Sequence, residues 1–281
     1  MVSNRRDRTI AWRRMMRGLE GKRVIVTGGA QGIGRACVEA LIPYGCKCVI
    51  SDIEKDSGEE AVEQLRKKGA EIEFVHGDMG EDDFCRQLVD TAATHMGGID
   101  LLVNNAFAFT AAGLDASREQ WVRSMTVGPM GFASMIQYCA AYMEKSGSGA
   151  IVNISSISAH IAQPGRWTYN SAKGAVAQLT RCSALDLAPL GVRVNSVSPG
   201  WIWTREVDKS AGYDREKYGP IWGKYHMLRR CGLPEEVASA VLFLLSQEAS
   251  FITGTDLPVD GGYLGLGGEG IGNDSEYAGS D

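Results

Sequence analysis

The segment that most restricts the fold runs from Lys22 to Arg35. Lys22-Arg-Val-Ile-Val-Thr27 is a short apolar strand. It breaks into Gly28-Gly-Ala-Gln31-Gly32-Ile33-Gly34 and resumes with Ala36, Val38, Ala40 and Leu41 at helical spacing. A glycine turn between strand and helix lets backbone approach a pyrophosphate. The helix N-terminus then offers free N–H groups and a positive dipole end. The spacing is T-G-x-x-x-G-x-G, not the G-x-G-x-x-G of the common dinucleotide fingerprint, and glycines also serve ordinary turns. The next strand tips the balance. Cys48-Val-Ile-Ser51-Asp52 ends in an acid 18 residues past Gly34, placed to accept from a ribose 2′-hydroxyl. The same carboxylate repels a 2′-phosphate. Neither Gln31 nor Ile53 supplies a balancing cation, so NAD is expected over NADP.

The rest of the chain alternates strand and helix as a parallel α/β sheet requires. Strands read near 23–27, 47–51, 72–76, 100–104, 149–154, 192–197 and 256–259. Helices read near 33–44, 57–68, 81–96, 117–144, 169–188 and 234–246. This predicts a Rossmann-like, doubly wound parallel sheet in a single domain over residues 19–263. At 281 residues and 44% hydrophobic content, one large core is affordable in composition. Residues 1–18 form an Arg-rich extension, expected to be frayed. Residues 264–281 form a Gly-rich acidic tail, expected to be disordered.

Several function classes are excluded by composition. Residues 1–17 hold six arginines against Asp7, so the other 264 residues carry −10 of the net −5. No basic stripe marks the body, so nucleic acid is not an expected partner. No apolar run approaches a membrane span of about 20 residues, and no signal-peptide pattern opens the chain. The seven cysteines are scattered and odd in number, as in a reduced cytoplasmic protein. His76, His95, His160 and His226 are dispersed, which predicts no metal site.

Chemistry is concentrated in Ser156-Ile-Ser-Ala-His-Ile-Ala-Gln-Pro-Gly-Arg-Trp-Thr-Tyr169-Asn-Ser-Ala-Lys173. If Tyr169 opens a helix, the i,i+4 spacing brings phenol and ammonium onto one face. A phenol alone titrates near about 10, and a close Lys⁺ favours the phenolate. Lowering it by about 3 units takes roughly 4 kcal/mol, within reach of two nearby cations in a dry site. Ser156 adds a hydroxyl that steadies a carbonyl or alcohol oxygen. A Y-x-x-x-K pair alone is more often a solvated helix face, and a Ser-Ser pair after a strand a helix cap. The trio gains its weight from the nucleotide end.

Together the two ends resemble the short-chain dehydrogenase/reductase family, over roughly Leu19 to Tyr263. Further matches follow in the family's order. Asp78 and Met79 come after the third strand, where family members bind adenine. Leu102-Val-Asn104-Asn105-Ala106 resembles the N-N-A-G strand end. Pro199-Gly200-Trp-Ile202-Trp-Thr204 resembles the P-G-x-I-x-T loop that contacts nicotinamide. Asp260-Gly261-Gly262 resembles the closing D-G-G turn. The resemblance implies NAD held by Gly28, Gln31, Gly32, Ile33, Gly34, Asp52, Ile53, Asp78, Met79, Asn105, Ala106, Tyr169, Lys173, Pro199, Gly200, Ile202 and Thr204. It implies Tyr169 as acid/base, Ser156 orienting the reacting oxygen, and Lys173 lowering the tyrosine pKa and holding the nicotinamide ribose. It also implies a homotetramer paired through the helices near 117–144 and 169–188. Two positions depart from the pattern. Phe107 replaces the last glycine of N-N-A-G and narrows the nicotinamide end. Gly128 stands where the family has an asparagine whose carbonyl holds a water linking the lysine to solvent. Glycine keeps the carbonyl, and Pro129 is placed to hold the helix kink.

In a doubly wound sheet, ligands bind beyond the carboxyl ends of the strands. Three loops meet there: 107–116, 157–168 and 201–228. They carry Trp201 and Trp203, which straddle Ile202, and the polar His160 and Arg166. One of the two indoles is expected to line the cleft and stack on a substrate ring, with His160 or Arg166 bonding its substituents. The insert from Glu206 to Tyr225 reads as a lid. Aromatic faces beside hydrogen-bonding groups suit a small polar ring, sugar- or polyol-like and acidic or not, and equally an aromatic or alicyclic alcohol. Two other readings remain: an NAD-binding sensor or scaffold with little turnover, and a dehydratase or epimerase on the same fold.

Overall fold

A computed structural model of the chain describes residues 16–271. Seven strands form one parallel sheet: β1 (Arg23–Thr27), β2 (Lys47–Asp52), β3 (Glu71–His76), β4 (Leu101–Asn104), β5 (Ala150–Ile154), β6 (Arg193–Pro199) and β7 (Asp256–Val259), in the order β3-β2-β1-β4-β5-β6-β7. The order reverses between β1 and β4, and the cleft opens beyond their carboxyl ends, where a doubly wound sheet binds ligands.

Alternation along each strand feeds two apolar layers. In β1, Val24 and Val26 join one layer and Ile25 the other. The first layer is covered by α1 (Gly32–Leu41), α2 (Lys55–Lys67) and α9 (Pro234–Leu245), through Val38, Leu41, Leu65 and Val241. The second is covered by α3 (Asp82–Met96), α5 (Gly131–Ser146) and the C-terminal half of α6 (Trp167–Leu187), through Leu88, Met135, Met143 and Leu187. Half-buried Arg193 at the start of β6 donates to the carbonyls of Leu244, Leu245 and Ser246, which satisfies the end of α9.

The predicted helix over 117–144 is two helices. α4 (Arg118–Met125) starts on a capping box of Ser117 and Gln120. A wide turn at Thr126–Met130, carrying Gly128 and Pro129, separates it from α5. Proline cannot supply its N–H to the helix, and the axis bends there as expected from the sequence. The insert read as a lid folds as two short helices, α7 (Arg205–Ser210) and α8 (Arg215–Gly223), capped by Thr204 and Asp214. On α6, the row Tyr169, Lys173, Val176, Thr180, Ser183 and Leu187 faces the chain's own sheet and is buried. On the opposite side of the helix Leu185 is exposed.

The residues after Tyr263 do not leave the body at once. Asp260 accepts the amides of Gly262 and Leu264, and Arg229 donates to the Gly270 carbonyl. The remainder of the tail, from 272, and the head up to residue 15 lie outside the described residues; Arg17 pairs with Glu248. Six cysteines are buried, and Cys182 is exposed rather than in the core. No described helix is long and apolar enough to cross a membrane, and the described residues hold no cluster of metal-ligating side chains.

Candidate active site

One cleft of about 840 Å³ runs along the carboxyl edge of the sheet, large by the standard of small-molecule sites, roughly 300–1,000 Å³. At one end lies the glycine turn. Gly28 has φ +63 and Gly32 φ +55, the left-handed region that glycine enters without cost. A Cβ on Gly34 would run into the Gly28 carbonyl, so this glycine serves close packing beneath the turn and does not line the cleft. Asn105 holds the turn from the next strand end: its side-chain amide donates to the carbonyls of Thr27 (3.0 Å) and Gly28 (2.9 Å). Thr27 replies, its hydroxyl accepting the amides of Asn105 and Ala106. The lip is completed by Gln31, Ile33, Asp52, Ile53, Asp78 and Met79. Asp52 accepts from the Ala30 and Glu54 amides at 3.3 and 3.2 Å. Asp78 is gripped by Arg123 at 2.6 Å, and that cation holds its carboxyl below the usual range despite partial burial.

The lip also holds a cation that belongs by sequence to the substrate loops. Arg205, from the start of α7, donates to Gln31 (2.7 Å) and Glu54 (2.9 Å), tying the lid to the glycine turn. Its charge is met by Glu54, so with Asp52 the lip stays net negative. A dinucleotide fits this arrangement: a positive-φ glycine cradle at a helix N-terminus for pyrophosphate, and an acid at the ribose position.

At the other end, β5 and α6 bring Ser156, Tyr169 and Lys173 to the same cleft. Lys173 donates to the Ile154 carbonyl at 2.8 Å, and Ser155 donates to the Lys173 carbonyl at 3.3 Å, pinning α6 to the end of β5. A buried polar chain supports them: Asn104 donates to Asn153, and Asn153 to Thr180 on α6. Ser156 accepts the Ser158 amide at 3.1 Å, and its hydroxyl also hydrogen-bonds the Tyr169 phenol. Tyr169 and Lys173 are both buried and line the cleft.

The electrostatics differ from the sequence expectation. Burial raises the Tyr169 phenol above its ordinary value, against the opposing pull of the Ser156 hydroxyl and the Arg166 charge. Burial also lowers Lys173 to about 7. In a dry site the ammonium is itself costly, and the cation that acts on the phenol is Arg166 rather than Lys173.

Phe107 takes up the space around Lys173. Its ring centroid is 3.9 Å from the ammonium nitrogen and 5.3 Å from the Tyr169 ring, edge to face. Phe109 stacks on Tyr169 at 5.5 Å. The Gly128 carbonyl accepts the Gly131 amide. The gap left by the glycine at 128 is thus filled by the aromatic ring at 107.

The substrate loops correct two expectations. Trp201 and Arg166 line the cleft, with the guanidinium 5.8 Å over the indole. Trp203 does not; it packs at 5.6 Å on Trp222, which also stacks on Trp201 at 4.9 Å. The loop turns because Ile202 pairs with Gly232, which separates the two indoles. His160 also leaves the cleft, its ring 2.8 Å from Asp256, a carboxylate that accepts from Ser196 and Ser198 as well. The neutral histidine that matters to the loop is His226. Its Nε2 accepts the Trp201 amide, and its Nδ1 meets the Trp222 carbonyl. Pro199, Gly200, Ile202 and Thr204 line the cleft as the sequence implies.

A family model described as enoyl-(acyl carrier protein) reductase matches residues 28–264, from the glycine turn to the closing turn. The chain belongs to the short-chain dehydrogenase/reductase family. Among relatives in that family, the cyclopentanol dehydrogenase of a Comamonas species is 37% identical over 246 residues, 86% of this chain and 96% of that one. The cis-4-hydroxycyclohexanecarboxylate dehydrogenase of Sinomonas cyclohexanicum is 37% identical over 244 residues, 86% of this chain and 96% of that one. Ligand-free aldohexose dehydrogenase of Thermoplasma acidophilum superposes with a TM-score of 0.82 at 37% identity, covering 90% of this chain and 98% of that one. The short-chain dehydrogenase fold and an oxidoreductase class are thereby given for this chain.

Proposed function

We propose that the protein is an NAD-dependent dehydrogenase that interconverts a secondary alcohol and a ketone on a small ring. The observation that carries this reading is the meeting of Ser156, Tyr169 and Lys173 in the same cleft as the glycine turn and Asp52. The aromatic wall of Phe107, Phe109 and Trp201 favours an alicyclic carbinol, in keeping with the relatives that act on cyclopentanol and hydroxycyclohexanecarboxylate. Arg166 pairs with no carboxylate among the described residues, so it is available to an acidic substituent.

When bound, the nicotinamide supplies the hydride acceptor. The protein's own residues do the rest. Ser156, beside the Tyr169 phenol, turns its O–H to the substrate oxygen, and Tyr169 takes the hydroxyl proton as the carbinol carbon gives up its hydride. Lys173 favours the ionised phenol in its charged form. Asp52 accepts from the adenosine ribose, and the net negative lip opposes a 2′-phosphate. The protein acts as a cytoplasmic homotetramer in this reading.

The test is a spectrophotometric screen of NADH formation over cyclic alcohols, hydroxycycloalkane carboxylates, sugars and polyols. Turnover with NAD on a ring alcohol, and weaker turnover with NADP, is the expected result. NAD binding without turnover on any alcohol or ketone supports a sensor instead. Product formation without net NADH supports a dehydratase or epimerase.

A further inference from the structure

Phe107 and Gly128 are one unit. A Cβ placed on Gly128 would lie 2.5 Å from Phe107 Cε2, 3.2 Å from Cζ and 3.3 Å from Cδ2, so an ordinary side chain at 128 and this ring exclude each other. On its other side the ring meets Lys173, 3.9 Å from centroid to nitrogen. Phe107 is therefore wedged between the kink that joins α4 to α5 and the ammonium, with its edge against Tyr169.

We infer that Phe107 is a positioning residue for Lys173, seated in the notch that Gly128 leaves and holding the ammonium against the Ile154 carbonyl. The chemistry follows from the ring's charge distribution. A π face is negative and attracts a cation within about 6 Å of its centroid, most strongly where water is excluded. Lys173 is 3% exposed and donates to Ile154 at 2.8 Å. The carbonyl fixes one direction of the ammonium and the ring face covers another. The ring thus supplies part of the charge stabilisation that burial removes. Phe109 extends the same wall over Tyr169.

The inference rests on the dehydrogenase reading only for its kinetic arm, and two measurements separate them. The first needs no turnover: trace acetylation of Lys173 across pH, read by mass spectrometry, in the wild type and in Phe107→Leu. Leucine keeps apolar bulk but removes the π face. The labelling midpoint is expected to fall by roughly 0.5–1.5 pH units in the variant. The acid limb of the kcat/KM profile for alcohol oxidation should move to higher pH, because a less charged lysine favours the phenolate less. An unchanged labelling midpoint overturns the positioning role, whatever the activity. A shifted midpoint in a protein inactive on every alcohol keeps the positioning role and sinks the dehydrogenase reading. The second measurement is a cycle of Phe107→Gly, Gly128→Asn and the double variant. Gly128→Asn alone should lose activity at least tenfold, and adding Phe107→Gly should recover most of that loss. Independent, additive effects contradict the coupling.

Discussion

The two ends of the cleft are built differently. The nucleotide end is backbone and short polar side chains: Thr27, Gly28 and Asn105 bond one another, and Asp52 accepts two amides. Neighbouring strand ends brace one another there. The substrate end is aromatic and borrowed from several loops, with Phe107 and Phe109 around Tyr169, Trp201 elsewhere on the cleft wall, and an insert tied down by His226 and Arg205. A phosphate-binding turn must hold backbone N–H groups within tenths of an ångström. A pocket for an apolar ring needs only shape and dryness, which many side chains provide. The first end should respond to substitution through cofactor choice, and the second through rate and substrate choice.

The largest effect should come from the group both ends serve. Tyr169→Phe is expected to lower kcat by about 10²-fold or more, the usual worth of a positioned acid/base, while NADH affinity measured by fluorescence stays near wild type. Near-normal turnover would remove Tyr169 from the proton step. Next is the nucleotide end. Asp52→Ala should cut the preference for NAD over NADP by about 10- to 100-fold, as the loss of a hydrogen bond to a charged group worth roughly 1.5–3 kcal/mol implies, without changing the substrate ranking. A change in substrate ranking instead would break the division between the ends. The complementary substitutions are Trp201→Ala and Trp203→Ala. Trp201→Ala should cost on the order of 1–3 kcal/mol in kcat/KM through lost ring burial. Trp203→Ala, outside the cleft, should cost less and show mainly in lid stability. Equal losses in kcat/KM would restore Trp203 to the pocket.

The smallest effect is on stability. Lys173 has its folded-state value lowered from 10.5 to about 7. Below about pH 7 it is charged in both states, and the buried charge is costly in the folded one; above its unfolded value it is neutral in both and the cost is gone. Lys173→Met should therefore raise the melting temperature most below pH 7, by about 2–4 °C for each kcal/mol relieved. The gain should shrink as pH rises from about 7 toward 10.5. A gain that grows with pH would contradict the buried-charge account.

The same contrast explains what could be read from the sequence. The glycine turn, Asp52 and the Tyr169–Lys173 pair are local patterns whose spacing carries their geometry, and the strands followed from alternation. His160 misled because its partner, Asp256, is 96 residues away and draws the ring out of the cleft. Which of the two indoles lines the cleft was not legible, because a bridge between Ile202 and Gly232, far apart in sequence, shapes the loop. His226 and Arg205 carry no local signature; only the fold brings them to Trp201 and Gln31. Phe107 and Gly128 each stood out as a departure, but their contact crosses from the end of β4 to the helix kink, and no spacing rule joins them. The upward shift of Tyr169 was hidden for a related reason: spacing gives the neighbour, and burial sets the dielectric.

The central claim is direct transfer of hydride from a ring carbinol to the nicotinamide, with the proton going separately to Tyr169. It is tested by oxidising a cyclic alcohol deuterated at the carbinol carbon in ordinary water with NAD, then locating the label by mass spectrometry and NMR. The account predicts deuterium on C4 of the reduced nicotinamide, on one face only. Deuterium released to solvent, or ketone formed with unlabelled NADH, would contradict it.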